Sequence, residues 1–558
     1  MTNVDNELDD LMSHLGDFGK YQARQFALHI IAALTAGLHM MTLLTVAAVP
    51  QHRCVIPGLD VINGEPTGVS FENGTGALEE LPRASGSCSY ITAENETLTC
   101  DTWVYDTTYF QSSRGIEWNF VCTRRWMGAV AQSAYMFGVF VGAVTLGTMA
   151  DKYGRKKIFY ISSVAQLILG VIVAFIPEYY TFLFVRFLYG VFGSAGAYIT
   201  GFVLTMELVG PTKRTICGVM FQLAFAVGFM LVAAWGAVIN DRMWLQIIYG
   251  LHSALLVGHW WFMDESPRWL WAQGRVREAI KIIKKGLLIN GSNIEVDVAR
   301  YVSRSKIREA DDRDRQFGAL DLFRTPNLRK KSLNVCLNWF ANSIVYYGLS
   351  LNSGNLVGNP FLTMFLMGLV ELPSYFLTSY LMDRTGRRSL ISAYMLIGGV
   401  CSICATSIPQ QYYGASVATI SIVMLGKACI ASSFAIIYNY TAELFPTVLR
   451  NTALGIGSMC ARLSGALTPM IMLLDTFDPK VPATLFGFIA ILAGFLALYL
   501  PETLNQPMPE TLEDGENFGK GDTCFASCYA RGNRRNKKVN NIVMVPVPDK
   551  EDDKGDCT

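Results

Sequence analysis

Asp151-Lys-Tyr-Gly154-Arg155-Lys156 closes one long apolar stretch and opens the next, and 232 residues later Asp383-Arg-Thr-Gly386-Arg387-Arg388 does the same. An acidic residue, a glycine turn and a basic pair, repeated between hydrophobic segments, mark two copies of one membrane unit. Such duplication is the signature of a transporter built as two similar helical bundles. Other pairs keep the same register. Glu207-Leu-Val-Gly-Pro211-Thr-Lys-Arg214 matches Glu443-Leu-Phe-Pro446-Thr-Val-Leu-Arg450, each with a Glu, a Pro-Thr and an Arg seven residues after the Glu. Glu265-Ser-Pro267-Arg268-Trp269 has its counterpart in Pro501-Glu502-Thr503. The offsets are nearly equal, so the repeat is whole and parallel.

The composition agrees with a membrane chain. Of 558 residues, 51% are hydrophobic and 16% charged, where soluble chains carry roughly a quarter charged residues. A bilayer crossing needs roughly 20 apolar residues. Twelve stretches qualify: 22–49, 127–149, 156–176, 180–206, 214–238, 243–263, 332–352, 359–382, 388–408, 412–440, 450–473 and 482–500. Glu371, Pro373 and small polar residues make 359–382 and 388–408 the weakest. The expected fold is an all-α membrane protein with twelve transmembrane helices. Its parts are an N-terminal segment (1–21), a six-helix bundle (22–263) with a large loop (50–126), a helical insert (264–331), a second six-helix bundle (332–500) and a tail (501–558). Met1–Lys20 is polar and acidic, with Asp5, Glu7, Asp9, Asp10 and Asp17. It is no cleavable signal peptide, and the first span is expected to act as an uncleaved one. The net charge of +1 by itself says nothing about charged partners, and no nucleic-acid partner is expected of a membrane chain.

Basic residues set the orientation. Lys152, Arg155, Lys156 and Lys157 follow span 2, Lys213 and Arg214 follow span 4, Arg384, Arg387 and Arg388 follow span 8, and Arg450 follows span 10. The connections after spans 3, 7 and 9 carry no Lys or Arg. The positive-inside rule then places both termini and the 264–331 insert in the cytoplasm and loop 50–126 outside. That loop holds Cys54, Cys88, Cys100 and Cys122 and two glycosylation sequons, at Asn73 and Asn95. Disulfides and glycans both belong to the oxidising side. Four cysteines allow three pairings. Asn290-Gly-Ser292 is a third sequon, expected to stay unused inside the cell. The remaining nine cysteines are expected to be reduced packing residues, and no metal site is expected.

In the insert, Val276, Ile280, Ile283 and Leu287 share a helix face, with Arg277, Lys281, Lys284 and Lys285 elsewhere. Such a helix can rest on the membrane surface or cap the cytoplasmic mouth. The polar tail carries Arg531, Arg534, Arg535, Lys537 and Lys538, which can touch anionic lipid or simply be solvated, and Cys524 and Cys528 are candidate palmitoylation sites.

The duplicated charges have a mechanical reading. Asp151, Arg155, Glu207 and Arg214 in one half, and Asp383, Arg387, Glu443 and Arg450 in the other, place acid at one helix end and base at the next. Pairs of this kind hold two bundles together in one state and release them in another. Static salt bridges are the plainer alternative, and Asp151 and Asp383 can also cap helix N-termini.

The two copies of the Gly-Arg motif, taken together with Gly147, resemble the major facilitator superfamily. Glu265-Ser-Pro-Arg-Trp-Leu270 and Pro501-Glu-Thr with Pro509-Glu-Thr511 resemble its organic-ion and sugar transporters. The cysteine-bearing first loop and Tyr440-Thr-Ala-Glu443-Leu-Phe-Pro446-Thr-Val-Leu-Arg450-Asn451 narrow the resemblance to the organic cation/carnitine/organic anion transporter family. It covers residues 15–515, and Gly515-Glu-Asn-Phe-Gly519-Lys is most similar to insect organic cation or carnitine/carcinine-type members. The resemblance implies a plasma-membrane carrier that works by alternating access, with no cofactor and membrane lipid as its surroundings; a monomer is the expected state, which the sequence does not fix. It also implies the pairing Cys54–Cys100 and Cys88–Cys122, although many relatives carry six cysteines in this loop.

Ionisable residues inside spans are costly and are functional candidates. Glu371 in span 8, Lys427 in span 10 and Arg462 in span 11 lie deepest. Glu371 can attract an ammonium, and Arg462 can hold a carboxylate at two points. The alternative is that the three neutralise one another or backbone groups. Trp339 and Tyr346 share a face of span 7, Gln222 and Phe225 share a face of span 5, and Tyr198 lies midway along span 4. Aromatic faces attract quaternary and protonated amines, and the resemblance places these five at the central cavity. It also sets Glu371-Leu-Pro373 beside the cation and carnitine carriers, and Arg462 beside the anion and zwitterion carriers. The expected substrate is a small organic cation or zwitterion, carnitine- or carcinine-like, with an organic anion as the alternative.

No phosphate-binding Gly-x-x-x-x-Gly-Lys-Ser/Thr loop occurs, so ATP-driven pumping is not expected. The membrane potential supplies about 2.3 kcal/mol per charge per 100 mV, which supports roughly 50-fold accumulation of a cation. The Asn that the resemblance associates with sodium coupling is replaced by Ala36, and His39 one turn later is a candidate proton-coupling group or a packed neutral residue. A transporter-like receptor is a different class, but the tail has no obvious signalling domain. No nucleophile or metal cluster supports an enzyme.

Overall fold

The computed structural model describes residues 8, 11–55, 61–62, 65–66, 83–84, 87–91, 96–292, 319–352, 358–409, 414–504, 506, 508–509 and 511–522. Asn73, Asn95, Cys524, Cys528 and the basic run 531–538 lie outside these residues.

The first half contains α1 (Lys20–Met40), α2 (Trp126–Tyr153), α3 (Arg155–Phe175), α4 (Tyr179–Leu208), α5 (Pro211–Val238) and α6 (Arg242–Leu251). After the amphipathic α7 (Val276–Asn290), the second half contains α8 (Pro326–Leu351), α9 (Pro360–Thr385), α10 (Arg387–Ser407), α11 (Ala415–Leu444), α12 (Thr447–Met472) and α13 (Val481–Ala497), followed by the short α14 (Leu512–Asn517). Among the described residues, nine helices are long and apolar enough to cross a membrane. The other three expected spans are helical but differ. Span 6 breaks into Arg242–Leu251, Ala254–Val257 and a tight turn at Gly258–Trp261. Span 7 is one long helix diluted by Asn334, Asn338, Asn342 and Ser343. Span 12 is only 17 residues long. By contrast, the two stretches with the weakest sequence signal, α9 and α10, form continuous helices. Pro373 sits inside α9 without ending it.

Pro at the first or second position starts α5, α8, α9 and α13, where its missing N–H costs nothing. The turn between α2 and α3 and that between α9 and α10 each depend on glycine. Gly154 has φ +108° and Gly386 has φ +88°, values that side-chain-bearing residues adopt only with strain. Within the first half, α2 and α4 approach until a Cβ on Gly138 would lie 2.1 Å from the Phe187 carbonyl, and one on Gly190 2.1 Å from the Tyr135 carbonyl. Small residues at such crossings replace the hydrophobic drive that is absent between helices in lipid. Midway along α4, Val191–Ile199 forms a π-helical turn.

The bundles meet through α5 against α9 and α2 against α12. One end of the molecule carries the doubled Gly-Arg turns (the motif end) and the other the cysteine-bearing loop (the loop end). In that loop, His52–Cys54 pairs antiparallel with Trp103–Tyr105. Disulfides join Cys54 to Cys100 and Cys88 to Cys122, with Cα–Cα distances of 5.6 and 5.7 Å. Ser113 donates to the Ala48 carbonyl at 2.6 Å, and buried Arg114 donates to the Ala174 carbonyl at 3.0 Å, which docks the loop on the first bundle.

Helix α7 packs as a cap. Val276, Ala279, Ile280, Ile283 and Leu287 bury against Leu11, Leu15, Tyr21 and Trp269, and Lys285 pairs with Asp264 at 2.8 Å. Asn290 ties this cap to α1, donating to the Leu15 carbonyl and Gln22 and accepting from the Tyr21 N–H. Its side chain is a structural joint.

Candidate functional site

A narrow central cavity of about 70 Å³ lies between the bundles. Helices α4 and α5 contribute Tyr198, Gln222 and Phe225. From the second bundle come Tyr346 and Tyr347 (α8), Tyr375 (α9), Phe434 and Tyr438 (α11) and Arg462 (α12). Helical spacing explains the grouping, because Phe434 and Tyr438 stand four apart on one face of α11. Aromatic rings are the largest group in the wall, beside small and aliphatic side chains such as Ala36, Met136 and Ser343, and Arg462 is the charged side chain lining it among the described residues. Its Nη1 donates to the Ser458 carbonyl at 2.9 Å and also to the Ser458 hydroxyl, while its buried Nε has no partner.

The other three substrate candidates lie one layer back. Trp339 is fully buried, donates from Nε1 to Thr441 Oγ1 at 3.0 Å, and is covered by Tyr438, with 4.4 Å between ring centroids. Glu371 and Lys427 are both fully buried and form an ion pair, Nζ to Oε1 3.1 Å. Glu371 also accepts from the Tyr346 hydroxyl at 3.1 Å and the Tyr375 hydroxyl at 2.9 Å. Lys427 donates to Ser350 Oγ at 2.6 Å and sits 3.1 Å above the Tyr346 ring centroid. A buried ion pair needs such extra hydrogen bonds to offset desolvation. The two phenols that hold Glu371 are themselves part of the cavity wall, so a single layer of rings separates this pair from the cavity. Tyr347, Tyr375, Phe434 and Tyr438 were not singled out from the sequence. The four-residue spacing of Glu371 and Tyr375 was the available signal for one of them.

His39 lies outside the cavity lining. It is fully buried, with Nε2 2.9 Å from Ser253 Oγ and Nδ1 bonded to Tyr189, whereas Ala36 does line the cavity.

At the motif end the duplicated charges form two matching clusters, each within its own bundle. Arg155 pairs with Asp151 at 3.0 Å and Glu207 at 3.1 Å. Arg387 pairs with Asp383 at 3.6 Å and Glu443 at 3.0 Å. Arg214 donates to the Val209 carbonyl at 3.2 Å, and Arg450 to the Met508 sulfur at 3.6 Å. The helix caps come instead from Glu265 and Glu502, which the repeat paired without assigning them this role. Glu265 accepts from the Lys156 N–H at 3.2 Å, and Glu502 accepts from the Arg387 N–H at 2.8 Å and the Arg388 N–H at 3.2 Å. Asp151 and Asp383 do not cap these helices, because they end α2 and α9 and turn toward the arginine four residues on. Burial raises the Glu265 carboxyl above its ordinary range against the lowering effect of hydrogen bonds from Ser266 and Lys156.

Links between the bundles cluster at the loop end and the cavity. Arg125 at the start of α2 pairs with Asp475 just after α12. Ser133 donates to the Ala466 carbonyl at 2.8 Å, Tyr347 donates to Met40 Sδ at 3.0 Å, and Phe110 meets Phe361 with 5.0 Å between ring centroids.

Two helical bundles around an aromatic cavity define a multi-pass membrane carrier rather than an enzyme. The sugar (and other) transporter family matches residues 86–514, and the chain belongs to that family, within the major facilitator superfamily. The chain is 38% identical over 542 residues to the organic cation transporter protein of Drosophila melanogaster, covering 92% of this chain and 95% of that one. It is 30% identical to the organic cation/carnitine transporter 2 of Mus musculus, covering 91% and 93% respectively. The fold resembles the inward-open xylose transporter XylE from E. coli, with TM-score 0.57, 16% identity and coverage of 88% of this chain and 99% of that one. It also resembles the human organic anion transporter MFSD10, with TM-score 0.53, 15% identity and coverage of 85% and 99%.

Proposed function

We propose that the protein is a plasma-membrane carrier with twelve crossings and both termini in the cytoplasm, moving small amine-bearing organic cations and zwitterions by alternating access. The observation that carries this reading is the cavity wall of aromatic faces around a single guanidinium. Ring faces attract an ammonium group, and each such contact contributes about 0.5–1 kcal/mol when exposed and about 2 kcal/mol when desolvated. Arg462 has no acidic partner among the described residues, which leaves it able to take a carboxylate. A molecule with an amine at one end and a carboxylate at the other uses both features. The names of the Drosophila and mouse relatives support the amine-bearing class. The clusters at Arg155 and Arg387 are proposed to break and re-form as the carrier switches state, although each lies within one bundle here.

Organic-anion transport is the second reading, favoured by the positive charge of the guanidinium lining the cavity. The deciding experiment is uptake into cells of three labelled probes: tetraethylammonium, L-carnitine and a simple aromatic carboxylate. It is run with and without sodium, at two pH values and two membrane potentials. Uptake of amine-bearing probes supports the proposal. Uptake of the carboxylate alone supports the second reading. Specific binding without uptake overturns both in favour of a receptor.

A further inference from the structure

The Glu371–Lys427 pair has a feature that a static salt bridge would not need. Lys427 Nζ lies 3.1 Å above the Tyr346 ring centroid, 6.0 Å from the Phe229 ring centroid, 3.1 Å from Glu371 Oε1 and 2.6 Å from Ser350 Oγ. An ammonium held by a carboxylate, a hydroxyl and aromatic faces is the environment expected of a bound organic cation. Here the cation belongs to the chain.

We infer that Lys427 is a tethered internal ammonium that occupies Glu371 and thereby sets the carrier's charge preference. This rests on the proposed amine-bearing substrate and goes further, by selecting zwitterions over simple cations. Both members of the pair are fully buried, so their charges cancel locally. The carboxylate lies behind Tyr346 and Tyr375, whose hydroxyls donate to it and whose side chains line the cavity. Cancelling Glu371 leaves Arg462 as the uncompensated charge that a substrate meets. A simple cation is repelled by that guanidinium and gains nothing net from Glu371. A zwitterion places its carboxylate on Arg462 and its ammonium on the tyrosine faces. Removing the Lys427 charge exposes Glu371 through its phenol partners and turns the cavity toward simple cations.

The test compares tetraethylammonium and L-carnitine uptake in variants normalised to surface protein. Lys427→Met is expected to raise the tetraethylammonium-to-carnitine ratio by about tenfold or more, since an uncompensated charge ~10 Å away in a medium of dielectric ~20 is worth that factor. Glu371→Gln, which leaves the lysine uncompensated, is expected to move the ratio the opposite way. The doubly neutral Lys427→Met/Glu371→Gln protein is expected to return the ratio to the wild-type value, whatever its absolute rate. A structural role would lower both substrates together, and unchanged ratios in all surface-expressed variants overturn the inference. If Lys427→Met does not reach the surface, the direction of the Glu371→Gln shift decides. If wild-type protein takes up neither probe, the proposed function fails instead, and the two failures are distinguishable.

Discussion

Glu265 and Glu502 hold equivalent posts in the two bundles: each carboxylate receives the first backbone N–H groups of the helix that follows a Gly-Arg turn. A negative charge at a helix N-terminus satisfies orphan donors and opposes the macrodipole. The same carboxylates press on the turns. A Cβ at Gly154 would lie 2.6 Å from Glu265 Oε2, and one at Gly386 2.5 Å from Glu502 Oε2. The doubled motif therefore has its glycine for two reasons, positive φ and a carboxylate lying against its Cα.

Gly386→Ala is accordingly expected to destabilise the second bundle by about 1–2 kcal/mol from backbone strain alone, with an added cost as Glu502 is pushed from its N–H partners. The thermal midpoint of the purified protein in detergent should fall by several degrees, and Gly154→Ala should act similarly in the first bundle. Ala at Gly147, where nothing lies within 4 Å, is the matched control and should leave the midpoint in place. Equal midpoints for all three variants would contradict the role of the carboxylates.

The Arg125–Asp475 pair joins the bundles at the loop end. Arg125 is 44% exposed, so its contribution is screened and comes to about 0.2–1 kcal/mol. That amount alters the balance between two carrier states by up to roughly fivefold. Asp475→Asn should raise the fraction open at the loop end. Ser343→Cys, placed in the cavity wall, should then react faster with a membrane-impermeant thiol reagent added to intact cells. The charge swap Arg125→Asp/Asp475→Arg should bring the labelling rate back toward that of the parent. A rate indifferent to all these changes would show that the pair does not hold the state.

The Cys54–Cys100 bridge closes 46 residues and brackets the strand pair His52–Cys54 with Trp103–Tyr105. Removing a native disulfide from a small extracellular unit typically costs ~2–5 kcal/mol. Cys54→Ser/Cys100→Ser should therefore lower the surface level sharply. Cys88→Ser/Cys122→Ser, whose bridge spans 34 residues and is solvent-exposed at its Cys88 end, should cost less. Surface biotinylation measures both, and a larger loss for the second pair would reverse the assignment of the main staple.

Much of this architecture was legible in the chain. The repeated Asp-x-x-Gly-Arg turn, the hydrophobic spans and the paired Glu-Pro-Thr-Arg segments are local patterns, and local patterns survive in sequence. Helical period put Gln222 and Phe225 on one face, and the family resemblance placed them with Tyr198 and Tyr346 at the cavity they line. Depth was not legible. Trp339 shares a face of α8 with Tyr346, yet it lies behind Tyr438, because Gly457 on α12 leaves room for the indole: a Cβ there would fall 2.6 Å from Trp339 Nε1. Glu371 and Lys427 are 56 positions apart, and only the packing of α9 against α11 shows that they meet. The caps by Glu265 and Glu502 were hidden for a similar reason. Each lies more than 100 residues from the helix it caps, and only the return of the chain to the motif end brings them together.

Arg462 offers the most direct test of how the cavity reads charge. Its Nη1 is anchored to Ser458 and its Nε is buried without a partner, an arrangement that leaves planar donors free for a carboxylate. Hydrogen bonds to a charged group contribute about 1.5–3 kcal/mol, so losing them should weaken carboxylate-bearing substrates roughly ten- to a hundredfold. Arg462→Gln should raise KM for L-carnitine by that order while tetraethylammonium uptake holds or improves. Arg462→Lys keeps the charge but loses the planar fork and should recover only part of the loss. Arg462→Asp should go furthest, reversing the preference toward simple cations, because the new carboxylate faces the same tyrosine-lined space with no other charge on its wall. A substrate profile unchanged across these three variants would remove Arg462 from the recognition of substrate and leave the aromatic wall as its sole determinant.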